Sequence, residues 1–243
     1  MTTRARIRPP GPPRISHTAE NYLLSLAILQ EDGLKPLMSE LASYLRRIPE
    51  GEEVGTTLAS GSGMVQRMVK EGLLEVTKNK RIDLTPAGFS RARDVVRRHR
   101  LAERLLVDML GVPLELAEAE AHSLEHGISP DLLPRIEERL GHPDTCPYGR
   151  PIYKANDTSL RTFDPGTLRL SEAKKGPAYV VTRIPDEDFP LLSFLVKSSV
   201  LPGERVAVEE VAAYRGVVDI SRNGQQVSLG MDVAARIWVR EAA

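Results

Sequence analysis

Cys146 is the only cysteine in 243 residues. That excludes an internal disulfide framework and any cysteine-rich zinc knuckle, so a metal site here needs histidine and carboxylate ligands. No stretch approaches the roughly 20 apolar residues of a membrane span, and the Arg/Pro-rich start has no apolar segment behind it to act as a secretion signal. A cytoplasmic address without a membrane partner is the expectation. An excess of one charge is missing too, since 33 Lys+Arg stand against 33 Asp+Glu. This balance argues against a protein that is basic all over, yet leaves room for a local DNA-binding face. Internal repeats and low-complexity tracts are absent.

What is present is ordinary for a folded protein, with 41% hydrophobic and 27% charged residues. The length allows two domains or more, because domains cluster at roughly 100–150 residues. Residues 1–15, with Arg4, Arg6, Arg8, Pro9, Pro10, Pro12 and Pro13, read as a tail, either solvated or a basic arm to DNA phosphates. Tyr22, Leu23, Leu26, Ala27 and Leu29 give helical spacing that stops at Gly33. Met38, Leu41, Ala42 and Leu45 give a second short helix, and Met64, Val65, Met68 and Val69 a third that closes at Gly72. Residues 73–84 then alternate around Lys78-Asn79-Lys80. Three helices followed by a hairpin is the order of a winged helix-turn-helix, placed at 16–90.

A long basic helix over 86–110 and two shorter ones over 114–126 and 131–140 make a helical domain at 91–152. A Pro/Gly-rich connection follows at 153–177. Beyond it the period becomes two, over 178–184, 205–210, 217–221, 226–229 and 237–240, with the hairpin turn Asn223-Gly224. This predicts a small SH3-like β-barrel at 178–243. The fold class is therefore mainly α with a small β domain.

His122, Glu125 and His126 stand at i, i+3 and i+4, so on a helix they leave one face within reach of one ion. Glu118 extends the stripe, and His99 and Glu103 form another i, i+4 pair on the preceding helix. Imidazole with carboxylate and no thiolate suits Mn, Fe(II), Co, Ni or Zn. A solvated polar face with incidental histidines is the bland competitor. The string His122-Ser123-Leu124-Glu125-His126 also matches the inverted zincin motif, in which two histidines bind zinc and the glutamate is the general base. That enzyme needs a third ligand and a cleft, whereas a Pro/Gly connection and a small barrel come next. A winged-helix regulator with structural histidines and a non-metal effector is a third possibility.

For DNA, the candidates are Thr56, Thr57, Ser60, Ser62 and Gln66 at the third helix and Lys78, Lys80 and Arg81 at the wing. An ordinary exposed loop is the alternative. Because each glycine in Ser60-Gly61-Ser62-Gly63 costs a helix about 1 kcal/mol, that helix is expected to start late or to order on DNA. The arginines from Arg91 to Arg104 read either as DNA-steering charge or as partners of the acidic helix at 115–125.

His99-Arg100-Leu101-Ala102-Glu103-Arg104-Leu105-Leu106, Glu120-Ala121-His122-Ser123-Leu124-Glu125-His126 and Cys146-Pro147-Tyr148-Gly149-Arg150-Pro151-Ile152 resemble the diphtheria toxin repressor family of iron- and manganese-dependent repressors. Glu71-Gly72-Leu73-Leu74 and Leu84-Thr85-Pro86-Ala87-Gly88 resemble the end of its recognition helix and the base of its wing. The likeness covers 17–152 by motif and 178–240 by pattern. It implies a homodimer that takes up Mn(II) or Fe(II), with Zn, Co, Ni or Cd able to substitute in vitro, and then binds a palindromic double-stranded operator. It makes His122, Glu125 and His126 the core of a primary site, completed at the position of Asn21, where the family has Met or Asp; Glu20 and His17 are the alternatives. It makes His99, Glu103 and Glu118 an ancillary site, to which the C-terminal domain adds an acid aligned with Asp188 and an amide whose position here is Leu191, leaving Glu187 or solvent to complete the shell. Residues 49–55 are an insertion, and Gly63 stands where the family has a base-reading Gln.

Overall fold

The computed structural model describes residues 15–46, 58–160 and 165–242. Helix α1 (His17–Glu31) starts where the Ser16 hydroxyl accepts a hydrogen bond from the Ala19 amide. It is buried on nearly every side, which makes it the central strut of the first domain. Helix α2 (Met38–Leu45) is capped by Glu40, whose carboxylate accepts from the Leu37 amide at 2.7 Å. Helix α3 (Leu58–Lys70) leads into the antiparallel wing strands β1 (Leu74–Val76) and β2 (Ile82–Leu84).

Contrary to the late start expected for α3, Ser60 to Gly63 lie within the helix. Gly61 falls on the buried side with Val65 and Met68, at i, i+4 and i+7. Packing of that face offsets the glycine penalty.

Helix α4 (Pro86–Arg104) begins at the Thr85 cap and continues as one wider turn over Leu105–Met109. Gly88 is required at its first turn, since a Cβ there would lie 1.8 Å from the Leu73 carbonyl oxygen. Helices α5 (Leu114–Glu125) and α6 (Leu133–Arg139) complete the middle domain.

The last domain is a six-stranded antiparallel sheet in the order β3-β8-β4-β5-β6-β7. Its strands are β3 (Thr167–Arg169), β4 (Ala178–Arg183), β5 (Arg205–Ala212), β6 (Val217–Arg222), β7 (Gln225–Gly230) and β8 (Trp238–Glu241). Helix α7 (Phe189–Lys197) lies between β4 and β5, and the single turn α8 (Met231–Ala234) between β7 and β8. Residues 167–172 thus belong to the barrel and not to the connection in which the sequence pattern put them. Strand β3 is too short to show a period, and only its pairing of Leu168 with Val239 reveals it.

Each domain has its own apolar core, and residues 145–153 staple them together. Tyr153 enters the first core, Ile152 the middle one, and Cys146 and Tyr148 the barrel. Gly149 lets this loop reach β4, because its φ is +89° and a Cβ would sit 1.9 Å from the Thr182 carbonyl oxygen. The Tyr148 carbonyl then accepts from the Ile184 amide at 3.0 Å. Charge follows the same path. Glu31, at the end of α1, accepts two hydrogen bonds from Arg100 at 2.8 and 2.6 Å and one from Tyr153 at 2.5 Å. Arg150 pairs with Asp186 at 2.6 Å, and Arg183 with Asp32.

Candidate metal centre

Helix α4 packs against both α5 and α1, so three elements meet around one buried group of side chains. Glu125 is at its centre and wholly inaccessible to solvent. Its Oε2 lies 2.9 Å from His99 Nδ1. Its Oε1 has no hydrogen-bond partner among the described residues, and neither has His122 Nδ1, 3.8 Å away. His126 Nε2 is 3.7 Å from the same oxygen. These separations are too long for hydrogen bonds and shorter than two metal–ligand bonds of about 2.1 Å laid end to end.

Surrounding carboxylates fix which nitrogens face inward. An ionised carboxylate only accepts, so a ring nitrogen bonded to it carries the proton. Glu118 Oε1 is 3.0 Å from His122 Nε2, and Glu20 Oε2 is 3.0 Å from His126 Nδ1. In the neutral rings, His122 Nδ1 and His126 Nε2 therefore present lone pairs toward Glu125. His99 differs, with Glu125 on one nitrogen and Glu103 at 3.0 Å on the other. Burial works against its charge, but Glu103 and Glu125 outweigh burial and raise its pKa well above the usual imidazole value. Burial would likewise raise the Glu125 carboxyl, yet His99 outweighs it and holds the group below the ordinary range. A second pocket adjoins the first, where His99, Glu118 and His122 offer ligand atoms within 4.8 Å of one another. Glu103 Oε2, also without a hydrogen-bond partner among the described residues, is on hand to complete it. The donor set of imidazoles and carboxylates fits a borderline or hard divalent cation.

The structure thus gathers His99, Glu103, Glu118, His122, Glu125 and His126. Asn21 is fully buried on α1, and His17 stacks on His126 with ring centroids 4.1 Å apart. Asp188 is not in the cluster. Its carboxylate caps α7 by accepting from the Leu191 amide at 3.1 Å, because three residues separate acid and amide across a helix start.

Of the residues expected to meet DNA, Thr56 and Thr57 lie outside the described residues. Ser60 and Gln66 are exposed on α3, Ser62 is half-exposed, and Lys78 and Lys80 are exposed at the wing turn. Arg81 is directed elsewhere, donating to the Lys35 carbonyl at 2.9 Å and to Glu40 at 2.8 Å, which braces the wing against α2. Arg67 and Lys70 are also exposed on α3, though neither is among the candidates drawn from the sequence. The signal that marks Lys70 is its spacing, four residues after Gln66 on the same face, and both basic side chains fall in the last turn of the helix. Arg97, Arg98, Arg100 and Arg104 on α4 do not pair with the acidic helix. Arg97 pairs with Glu137, Arg98 with Glu20, Arg100 with Glu31 and Arg104 with Asp108, all outside the acidic helix.

Fold and cluster together define a class, a winged-helix protein whose helical middle domain encloses an imidazole–carboxylate centre. Residues 85–154 match the family described as "Iron dependent repressor, metal binding and dimerisation domain", and residues 168–241 match the FeoA domain. The chain is 36% identical to the iron-dependent repressor IdeR of Mycobacterium leprae over 233 residues, covering 92% of this chain and 97% of that one. It is 30% identical to the diphtheria toxin repressor of Corynebacterium diphtheriae over 231 residues, with 92% and 97% covered. Among solved structures, it is similar to a manganese-dependent transcriptional repressor in complex with manganese, at TM-score 0.79 and 28% identity over 92% of this chain and all 100% of that one. ScaR with bound Zn2+ superposes at TM-score 0.76 and 26% identity, over 92% and 99%. The chain belongs to the iron-dependent repressor family, with the diphtheria toxin repressor and IdeR.

Proposed function

We propose that this protein is a transcriptional repressor that grips a palindromic operator as a homodimer once Mn(II) or Fe(II) is held between α1, α4 and α5. The observation that carries the reading is the approach of His122 Nδ1 and His126 Nε2 to one oxygen of a fully buried Glu125. His122, Glu125 and His126, with Asn21 from α1, would hold the primary ion; His99, Glu103 and Glu118 would hold a second beside it. A bound cation would supply the positive charge that balances these buried carboxylates and draws α1 toward α4 and α5. The names of the relatives, iron-dependent and manganese-dependent repressors, point the same way.

The chain's own surfaces fit the remaining roles. Met109, Leu110, Leu116 and Leu132 are large apolar side chains left exposed on the middle domain, and they supply a dimer contact. The α3 face with Ser60, Ser62 and Gln66 would enter the major groove, Thr56 and Thr57 would precede it, and Lys78 and Lys80 would reach the phosphates. Residues 16–90 form the DNA-binding unit, 91–152 the metal-binding and dimerising unit, and the barrel the third. The cytoplasm is the proposed site of action. A zinc peptidase is disfavoured, because Glu125, which would have to activate water, is buried and bonded to His99.

Gel-shift titration of chelator-treated protein with genomic fragments, with and without Mn(II), Fe(II), Zn(II) or Co(II), tests the reading. Metal-dependent, salt-sensitive retention of particular fragments is expected. Equal retention by metal-free protein refutes it.

A further inference from the structure

Family members are expected to couple the DNA-binding domain to the metal through a ligand on the first helix, yet this chain has a neutral amide, Asn21, at that place. One residue earlier, Glu20 uses both of its oxygens to join α1 to the other two helices. Oε2 lies 3.0 Å from His126 Nδ1 on α5, and Oε1 accepts from Arg98 on α4 at 2.5 Å. The Glu20 side chain is mostly buried, at 12% exposed, and the His126 ring at 8%. His17, a turn earlier on α1, covers the outer face of that ring with an interplanar angle of 7°.

The geometry points to Glu20 as a positioning residue for the metal centre: it holds His126 with Nδ1 protonated and Nε2 turned inward, so that α1 feels the metal through a carboxylate–imidazole hydrogen bond. The reason is electrostatic. A cation held by His126 would withdraw electrons from the ring and make the Nδ1 proton more acidic, so the hydrogen bond to Glu20 would strengthen on loading. The same bond raises the basicity of Nε2 and thus the affinity for the ion. Arg98 fixes the other end of Glu20. Because α1 runs without interruption from this contact into the first domain's core, tightening at Glu20 fixes the DNA-binding head. This inference rests on the metal-dependent reading above.

The test compares wild type, Glu20→Gln, Glu20→Ala and Arg98→Met in the full-length dimer, with Mn(II) affinity read by electron paramagnetic resonance and Zn(II)-loaded protein read by proton–nitrogen NMR of the histidines. In wild type a hydrogen-bonded Nδ1 proton of His126 is expected far downfield in the Zn(II) form. Glu20→Gln should move it upfield, Glu20→Ala should remove its protection, and both should lower Mn(II) affinity by about 10-fold to 100-fold. Both should also abolish the metal-dependent slowing of amide exchange in the first two turns of α1. Arg98→Met should change affinity by less than either. If wild type binds no metal, the metal-centre reading itself is lost. If wild type binds and the Glu20 variants match it, or Arg98→Met matches Glu20→Ala in every readout, Glu20 acts only as an ion-pair partner and the inference is overturned.

Discussion

Oε2 of Glu125 lies 2.9 Å from Nδ1 of His99, while the other oxygen of the same carboxylate faces His122 and His126. One side chain therefore borders both candidate pockets, so a change at Glu125 reaches both while a change at His99 reaches one. Glu125→Gln is expected to weaken both, whereas His99→Ala should spare the primary one. Isothermal titration with Mn(II) should show one ion lost in His99→Ala and binding weakened by at least about 10-fold in Glu125→Gln, in keeping with loss of a ligand. Equal losses in the two variants would show that the pockets are not nested in this way.

The exposed face of α3 makes a different prediction. Gln66 and Lys70 both point outward, but they have different chemistry. Gln66→Ala should cost about 1–3 kcal/mol against the preferred operator and relax discrimination at one base pair. Lys70→Ala should weaken all duplexes alike and reduce the salt slope by about 1. Fluorescence anisotropy at several salt concentrations separates the two.

Gly149→Ala should detach the barrel from the helices. Positive φ alone costs a side chain on the order of 1–3 kcal/mol, and a Cβ 1.9 Å from the Thr182 oxygen forces the loop off β4. Urea denaturation followed by far-UV circular dichroism should show a lower midpoint, and limited proteolysis should release the barrel first.

Acid should loosen the same junction. Burial would raise the Asp186 carboxyl, but the Arg150 guanidinium outweighs it and holds the group well below the usual carboxylate range. A carboxyl depressed in the folded state contributes stability that is complete above its unfolded value of about 3.9 and is lost as pH falls through the folded one. Stability should therefore decline below about pH 4. Asp186→Asn should flatten that slope and cost about 3 kcal/mol at neutral pH, since it strips a buried arginine of its nearest partner. Thermal melts from pH 3 to pH 7, with about one melt per pH unit, measure both.

Much of the candidate site was legible because its residues are local. His122 and Glu125 share one helix whose C-cap is His126, and His99 and Glu103 share another, so the 3.6-residue period alone aligns them. The bond between His126 and Glu20 spans 106 residues and that between Arg100 and Glu31 spans 69, and no periodic pattern encodes such separations. Asp188 is a different case: the family resemblance offers it as a ligand, while in the structure one of its oxygens caps α7.

The linear order of residues by itself determined the helices of the first two domains, the wing, the alternation of most barrel strands and the chemical type of the candidate metal ligands, because these depend on side chains a few positions apart; helix α7 and strand β3 it did not show. Only the tertiary structure decided that Arg100 pairs with Glu31, that Glu125 lies between His99 on one side and His122 and His126 on the other, and that Glu20 reaches His126. Those outcomes depend on which buried charges meet across elements, and a buried charge settles wherever folding leaves it a partner.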